Sequence, residues 1–452
     1  MITGSIPAPR HPATVLLVAL TPLAGCDENA TTAPEEPPRE RAVEVQEPVP
    51  DVDVAFVRFY SWTYMGDGTD VFQYRDGAIY AIDFLGDTIP FDTGRFWRSG
   101  RPLPTHETVN WDDFTICADC GLELTEVVRF GDADGPGTIE SVAPRVTWSA
   151  RLGYLVVGST YLQIFDKDGR FARRVGREGD GPGKFLRVVD AHVVDGRLVA
   201  LDDANRAWSI FNLAGDFVER RPYGYSPGPF VPVGGNHVVV VAIDQSPAGA
   251  GFPLHLADID SGVPLHHFGS RSDARGSGPY SNSVQGSVTS RPGTVWWGGA
   301  GSPRVQEWSV DDDLLRVIEG DLPWFPEVTK SIDPTREPPS TLLRSLALDA
   351  REHLWMTTRT ADPQWREVEL ERTPEGWRVP PERRVDYMDT RLDIFDLEER
   401  RHLGSHVWDS PYARLINLGG EPAVTIVEHN DEMVPQVVVQ RVHRDNASSR
   451  KE

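Results

Sequence analysis

A chain of 452 residues in which 39% are hydrophobic, 41 are Gly and 37 are Pro is long enough to bury a large core, yet is punctuated too often for long helices. Its formal net charge of −23 speaks against nucleic acid as a partner and against anionic lipid as a docking surface. A charge of that sign also keeps an exposed domain soluble.

The first 26 residues read as an address. Arg10 makes a small positive start, and Ala13 to Leu20 form an apolar stretch too short to span a bilayer. Leu23-Ala24-Gly25-Cys26 resembles the lipobox at which bacterial lipoprotein precursors are cleaved and acylated. The resemblance implies a signal peptide over residues 1–25 and a mature chain that begins at a diacylated Cys26, held to the membrane by acyl chains alone. A plain cleaved secretory signal is the alternative. The expected location is the bacterial cell envelope, lipid-anchored and extracytoplasmic, in the periplasm or on the surface.

Loss of the leader with its single arginine takes the charge from −23 to −24. Residues 26–52 then form an acidic, Pro-rich tether, because positions 27 to 52 hold eight acidic residues, two Arg and five Pro without a hydrophobic period. At about 3.1 Å per extended residue, such a tether lifts the folded part by up to roughly 80 Å.

Residues 53–120 change character, with 14 of the chain's 42 aromatic residues between Val52 and Ile116. Val54 to Tyr60, Val71 to Tyr74 and Ala78 to Phe84 read as strands, the last two joined at Asp76-Gly77. The region reads as a β-rich appendage packed on the main domain, with a divergent extra repeat as the alternative. Its aromatics fill a core or contact a glycan or peptide. Near its end, Cys117 and Cys120 are the only thiols left once Cys26 is acylated, so export makes an internal disulfide the expectation. No thioredoxin-like βαβ pattern surrounds them, Gly121 stands where haem attachment needs His, and a metal site needs two further ligands.

From Gly131 to Arg220 one pattern is written twice. Gly135-Pro136-Gly137 returns as Gly181-Pro182-Gly183, Phe165 with Gly169 as Phe211 with Gly215, and Phe171 as Phe217, at an offset of 46 residues without a gap. In the second copy Arg187 to Val193, Leu198 to Leu201, Ala207 to Phe211 and Phe217 to Arg220 are strand-forming runs parted by Asp, Asn and Gly. Four short strands in about 46 residues make one propeller blade. Gly176 to Phe185 (GREGDGPGKF), Leu198 to Asp202 (LVALD), Asn205-Arg206 and Ile210-Phe211 before Gly215 resemble the repeat of NHL-type six-bladed propellers, and bacterial lipoproteins known only as six-bladed β-propeller proteins. That resemblance implies a fold and no activity.

Later blades are less regular. Blade 3 is expected from Phe230 to Phe268, blade 4 from Gln285 to Ile318, and blade 5 from Leu343 to Phe395. Blade 5 carries an insertion, Trp365 to Arg384, whose Val368 to Glu371 and Gly376 to Val379 read as a protruding hairpin. Leu122 to Phe130 reads as an outermost strand whose partners lie at the far end of the chain, in Ala413 to Leu418, Ala423 to Glu428 and Gln436 to His443. Their pairing closes the ring and removes exposed edges. The expected fold is therefore all-β, a six-bladed propeller of four-stranded antiparallel blades over 121–444 with the appendage at 53–120 and a disordered tail at 445–452. Seven blades are the alternative.

Familiar chemistry is scarce. Gly179 to Lys184 superficially resembles a phosphate loop, but a strand follows it and the pattern repeats at Gly135, so Gly135, Pro136, Gly137, Gly181, Pro182 and Gly183 read as structural turns. Asp132 with Asp134, and Asp166 with Asp168, have calcium-like spacing, yet Ala143 and Arg177 occupy the places that need a bidentate Glu. Calcium stays a secondary reading, and no other metal or cofactor is expected. Asp190 and His192 share a face of an innermost strand and are the candidate acid and base. His266-His267 reads as surface, and no nucleophile elbow or zincin motif occurs. The leading reading is a monomeric binding module for an envelope protein, peptide or glycan, touching the membrane only through its anchor. The alternative is a metal-dependent propeller enzyme of lactonase or lyase type, which needs carboxylates and histidines from at least three blades at the channel mouth.

Overall fold

The structure is a computed structural model that describes residues 106–444, apart from 142, 224–225, 244–251, 270–285, 327–332, 374–375 and 431–433, together with three strands nearer the N-terminus. Those strands, Val71–Arg75, Ala78–Ile82 and Thr88–Phe91, pair antiparallel in a small sheet of their own. The leader, Cys26, the tether, the run Val54 to Tyr60 and the tail lie outside the described residues.

Six blades form the ring. Blade 1 consists of Arg145–Ser149, Gly153–Val157, Leu162–Phe165 and Phe171–Val175. Blade 2 consists of Val188–Val194, Arg197–Asp202, Ala207–Phe211 and Phe217–Pro222. Blade 3 holds Ser226–Gly234, His237–Ile243, Leu254–Asp258 and Pro264–Phe268, and blade 4 holds Gly286–Arg291, Thr294–Gly299, Val305–Ser309 and Leu314–Glu319. Blade 5 is Leu342–Leu348, His353–Ala361, Met388–Asp396 and Arg401–Trp408. Blade 6 joins Arg414–Asn417, Pro422–His429 and Pro435–Arg444 to Leu122–Phe130, so the two ends of the domain meet in one sheet as the sequence pattern requires.

The hydrophobic pattern follows from the stacking of blades. Middle strands are covered on both faces, and Gly153–Val157 and Ala207–Phe211 are buried at every position. Outermost strands such as Phe171–Val175 alternate, because one face meets solvent. The core is accordingly divided into six apolar layers, one at each junction between neighbouring blades. In every blade the register slips once between the third and outermost strands, a bulge that increases local twist.

Repetition in sequence becomes repetition in geometry. Phe165 meets Phe171, and Phe211 meets Phe217, with ring centroids 5.7 Å apart and planes at 77° in both pairs. Gly169 and Gly215 have positive φ and touch the preceding blade, where a Cβ would come within 2.7 Å of Val128 Cγ2 and 2.9 Å of Val175 Cγ2. The twice-written glycine is thus a blade-spacing residue.

Two features depart from the sequence reading. Blade 5 does not stop at Phe395, because Arg401–Trp408 supplies a fourth strand whose run (RHLGSHVW) lacks a strand-like pattern. The end of the 53–120 segment is also laid along the ring. Glu107–Asn110 adds in parallel to the outermost strand of blade 4, and Thr115 and Gly121 bridge in parallel to Arg401 and Ser405 of blade 5. Only then does the chain enter blade 6. This strap is anchored by Trp111, 2% exposed, whose ring lies 4.8 Å from Phe395 and whose Nε1 donates to the Pro303 carbonyl at 2.9 Å. Cys117 and Cys120 form a disulfide within it, Cα atoms 5.5 Å apart, and His402 Nδ1 contacts the Cys117 carbonyl at 3.1 Å.

Candidate functional site

The six innermost strands line a cavity of about 170 Å³ at the ring's centre. Among the described residues, hydrogen bonds between these strands stitch five of the six junctions. Thr147 Oγ1 donates to the Ala191 carbonyl, the Phe230 N–H to Asp190, Ser290 to the Pro232 carbonyl, the Leu346 N–H to Ser287 and the Leu415 N–H to Ser345. Neighbouring innermost strands are thus tied to one another where side chains enter the cavity.

Asp190 and His192 are brought together there, with His192 Nε2 3.5 Å from Asp190 Oδ2. The carboxylate is already committed, however. Arg145 Nη1 donates to Oδ2 at 2.6 Å, the Phe230 N–H to the same oxygen at 3.0 Å, and the Ala191 N–H to Oδ1 at 3.0 Å. Burial works to raise the Asp190 pKa, but the charges of Arg145 and His192 and these hydrogen bonds outweigh it and leave the group below its ordinary value. An anionic, fully occupied carboxylate pins blades 1, 2 and 3 and is poorly placed to take a proton.

Arginines dominate the rest of the mouth. Arg145 opens the innermost strand of blade 1, Arg414 opens that of blade 6, and Arg344 lies near the start of that of blade 5. Arg344 is the extra residue of a bulge between Leu343 and Ser345, a device that re-aims a side chain. The Nε atoms of Arg344 and Arg414 are buried and make no hydrogen bond. Burial, then the charges of Arg359 and Arg145, lower the Arg344 pKa to about 10. Burial also lowers Arg414 well below its ordinary value, with Arg344, Arg145 and Arg359 adding to the effect and Asp190 opposing it. Arg359, on the second strand of blade 5, is itself lowered by burial. Across the cavity the lining turns apolar at Phe230, Val231 and Val288.

The blade 5 insertion projects from the same end of the ring. It follows the second strand, which runs opposite to the innermost one and so finishes where the innermost strands begin. The Asp362 N–H donates to the Tyr387 carbonyl at its base, and Trp365, Val368, Tyr387 and Met388 form a small core of its own. Its hairpin comprises Glu371–Thr373 and Gly376–Arg378, later in the chain than the pattern suggests because Val368 is spent on that core. Trp377 stays 43% exposed beneath Arg372, and a cavity of about 300 Å³ opens between the hairpin and Pro334-Thr335.

Asp362, Asp389 and Asp409 also gather at this end, with carboxylate oxygens within 4.8 Å of one another. Among the described residues they are the cluster that offers a cation three ligands, and they pair with no Lys or Arg. Burial first, then the charge and hydrogen bond of Asp362 and the charge of Asp409, raise the Asp389 pKa to about 7. Sequence reading missed both groups because their members are dispersed across blades and carry no local motif.

The other sequence candidates act structurally where they are described. Carbonyls of the first Gly-Pro-Gly turn are capped by Gln163, which donates to Pro136 and Thr138, and those of the second by Arg220, which donates to Gly181 and Lys184. Asp166 Oδ1 accepts from the N–H groups of Asp168 and Arg170, and His267 Nδ1 lies 2.7 Å from Nδ1 of His255.

By its six four-stranded blades the chain is a six-bladed β-propeller protein. Residues 154–238, from the second strand of blade 1 to the second strand of blade 3, match the family DUF5128, described as a 6-bladed beta-propeller. The match speaks to six blades and not to the NHL type. No curated protein matches the chain. Among solved structures, an exported-protein candidate from Bacteroides fragilis is 12% identical, covering 75% of this chain and 100% of that one at a TM-score of 0.49. A DUF4221 member from Bacteroides vulgatus is 9% identical over 72% and 99% of the two chains, TM-score 0.49, and virginiamycin B lyase from Staphylococcus aureus is 10% identical over 71% and 99%, TM-score 0.38. Likenesses of this strength carry no functional argument.

Proposed function

We propose that the chain is a lipid-anchored, extracytoplasmic binding module that offers one end of its propeller to an envelope protein, peptide or glycan. The observation that carries this reading is the concentration of recognition features on a single end: the arginine-lined mouth, the projecting insertion and the exposed Trp377 with its neighbouring cavity. Exposed aromatics beside arginines and a rigid polar pocket are what binding surfaces use. Export rests on the leader and the lipobox-like stretch ending at Cys26.

A metal-dependent enzyme in the channel has less support. Among the described residues the mouth holds one carboxylate and one histidine, both from blade 2, while blades 1, 5 and 6 contribute cations that repel a metal ion. The test compares wild type with a Trp377→Ala variant and with a variant whose 371–378 hairpin is replaced by a short turn, on peptide and glycan arrays. Loss of a wild-type ligand with an unchanged melting curve supports the reading, and undiminished binding by both variants sinks it. Palmitate labelling that disappears in Cys26→Ala checks the anchor, and sedimentation checks the expected monomer.

A further inference from the structure

We propose that the channel mouth is a binding site for an oxyanion group carrying two negative charges, held by Arg145, Arg344 and Arg414. The proposal rests on the binding-module reading only for the end of the ring at which a ligand arrives. Among the described residues, three guanidiniums from three adjacent blades face one cavity with a single carboxylate, Asp190, among them, which leaves two positive charges without a carboxylate. Asp190 is taken by Arg145, and among the described residues neither Arg344 nor Arg414 has a carboxylate partner. A part-buried charge without a partner is destabilising, so Arg344 and Arg414, side by side with the already paired Arg145, call for compensation.

The shortage of partners is not a shortage of acid. The chain has 68 Asp and Glu against 45 Lys and Arg, and at the same end of the ring Asp362, Asp389 and Asp409 have no Lys or Arg partner among the described residues. Carboxylates are available there and are not used to neutralise the arginines. Arg344 is moreover aimed by a bulge, which costs a ladder position that an ordinary strand would keep. Guanidinium forks match the geometry of carboxylate and phosphate oxygens, and Arg344 and Arg414 line the cavity with no carboxylate of the described residues paired to them. Phe230, Val231 and Val288 opposite the arginines give the site an apolar flank, suited to the carbon skeleton that bears the anion.

Purified full-length protein in detergent is titrated with inorganic phosphate, a phosphate monoester such as glycerol phosphate, and succinate, with acetate and chloride as monoanion controls at matched ionic strength. Melting temperature and calorimetric heat are read. At least one dianion is expected to bind saturably, with a dissociation constant at least tenfold below any for the monoanions. Tighter binding of the phosphates or of succinate tells which source of the charge the site prefers. Arg344→Gln and Arg414→Gln are each expected to weaken that binding at least tenfold while melting no lower than wild type without ligand, since they relieve repulsion. Arg414→Lys, which keeps the charge but loses the fork, should fall between.

No saturable binding of any dianion by wild type overturns the proposal. So does binding that survives undiminished in both Gln variants, or Gln variants that melt lower yet bind as wild type, the behaviour of purely structural arginines. Dianion binding that persists when Trp377→Ala abolishes the macromolecular ligand separates the two readings, and loss of the dianion alone in Arg414→Gln separates them in the other direction.

Discussion

Blades 1 and 2 and blades 4 and 5 do the same architectural work with opposite economies of sequence. The first pair repeats at a fixed offset, closes each turn with the same glycine and stacks the same two phenylalanines at the same angle. The second pair is built around additions: the strap strand Glu107–Asn110 on blade 4, the strap bridges on blade 5, and the insertion between the second and third strands of blade 5. A blade needs little more than two buried middle strands and a spacing glycine. What lies beyond that minimum is free to serve attachment and recognition, and here it is concentrated on one side of the ring.

The largest test of this contrast concerns the repeated phenylalanines. Phe165→Ala and Phe211→Ala, at 0% and 1% exposure, are each expected to cost about 3–5 kcal/mol in urea unfolding. Their costs should agree within about 1.5 kcal/mol. Clearly unequal costs would mean that the matching geometry hides different packing.

Trp111→Ala asks whether the strap belongs to the ring. It removes a buried indole and its hydrogen bond to Pro303, for an expected loss of about 3 kcal/mol, with hydrogen exchange accelerated first at 107–121. Global unfolding without local loosening would make the strap an integral part of blades 4 and 5. Next in size is Cys117→Ser with Cys120→Ser, which opens a very short loop and should cost about 2 kcal/mol or less. A larger loss would show that the disulfide holds strap to blade rather than shaping the strap alone.

Asp389→Asn separates the insertion's base from the ring by pH. Folding raises this acid's pKa from 3.8 to about 7, so between those values the folded protein keeps a proton that the unfolded chain releases. Stability contributed by the protonated group is therefore lost as pH rises from about 4 to about 7 and stays lost above. The Asn variant should gain on wild type at pH 8, gain nothing at pH 4, and flatten the profile between. A profile parallel to wild type would show that burial and the neighbouring Asp362 and Asp409 do not raise the Asp389 pKa. The smallest effect is expected from Trp377→Ala, within about 0.5 kcal/mol of wild-type stability, because the indole is a surface group.

Sequence alone carried the fold a long way, for reasons visible in particular residues. Strands buried on both faces leave continuous apolar runs such as Leu198 to Leu201, and turns that touch the next blade demand Gly169 and Gly215, so the period is written into the chain. The ring closure was legible too, because Leu122 to Phe130 is a strand with no local partner and the last three strands lack a fourth. Arg401–Trp408 was illegible because its pattern is set by the strap passing over Gly404, where a Cβ would meet the Cys120 carbonyl at 3.0 Å. The candidate site was not legible at all. Asp190 and His192 drew notice because alternation put them on one face, but only the ring brought Arg145 against Asp190 and added Arg344 and Arg414 from strands roughly 200 residues away. Local periodicity determines which residues become strands and which face is buried. The charge at the centre depends on which strands meet there, and ring closure decides that.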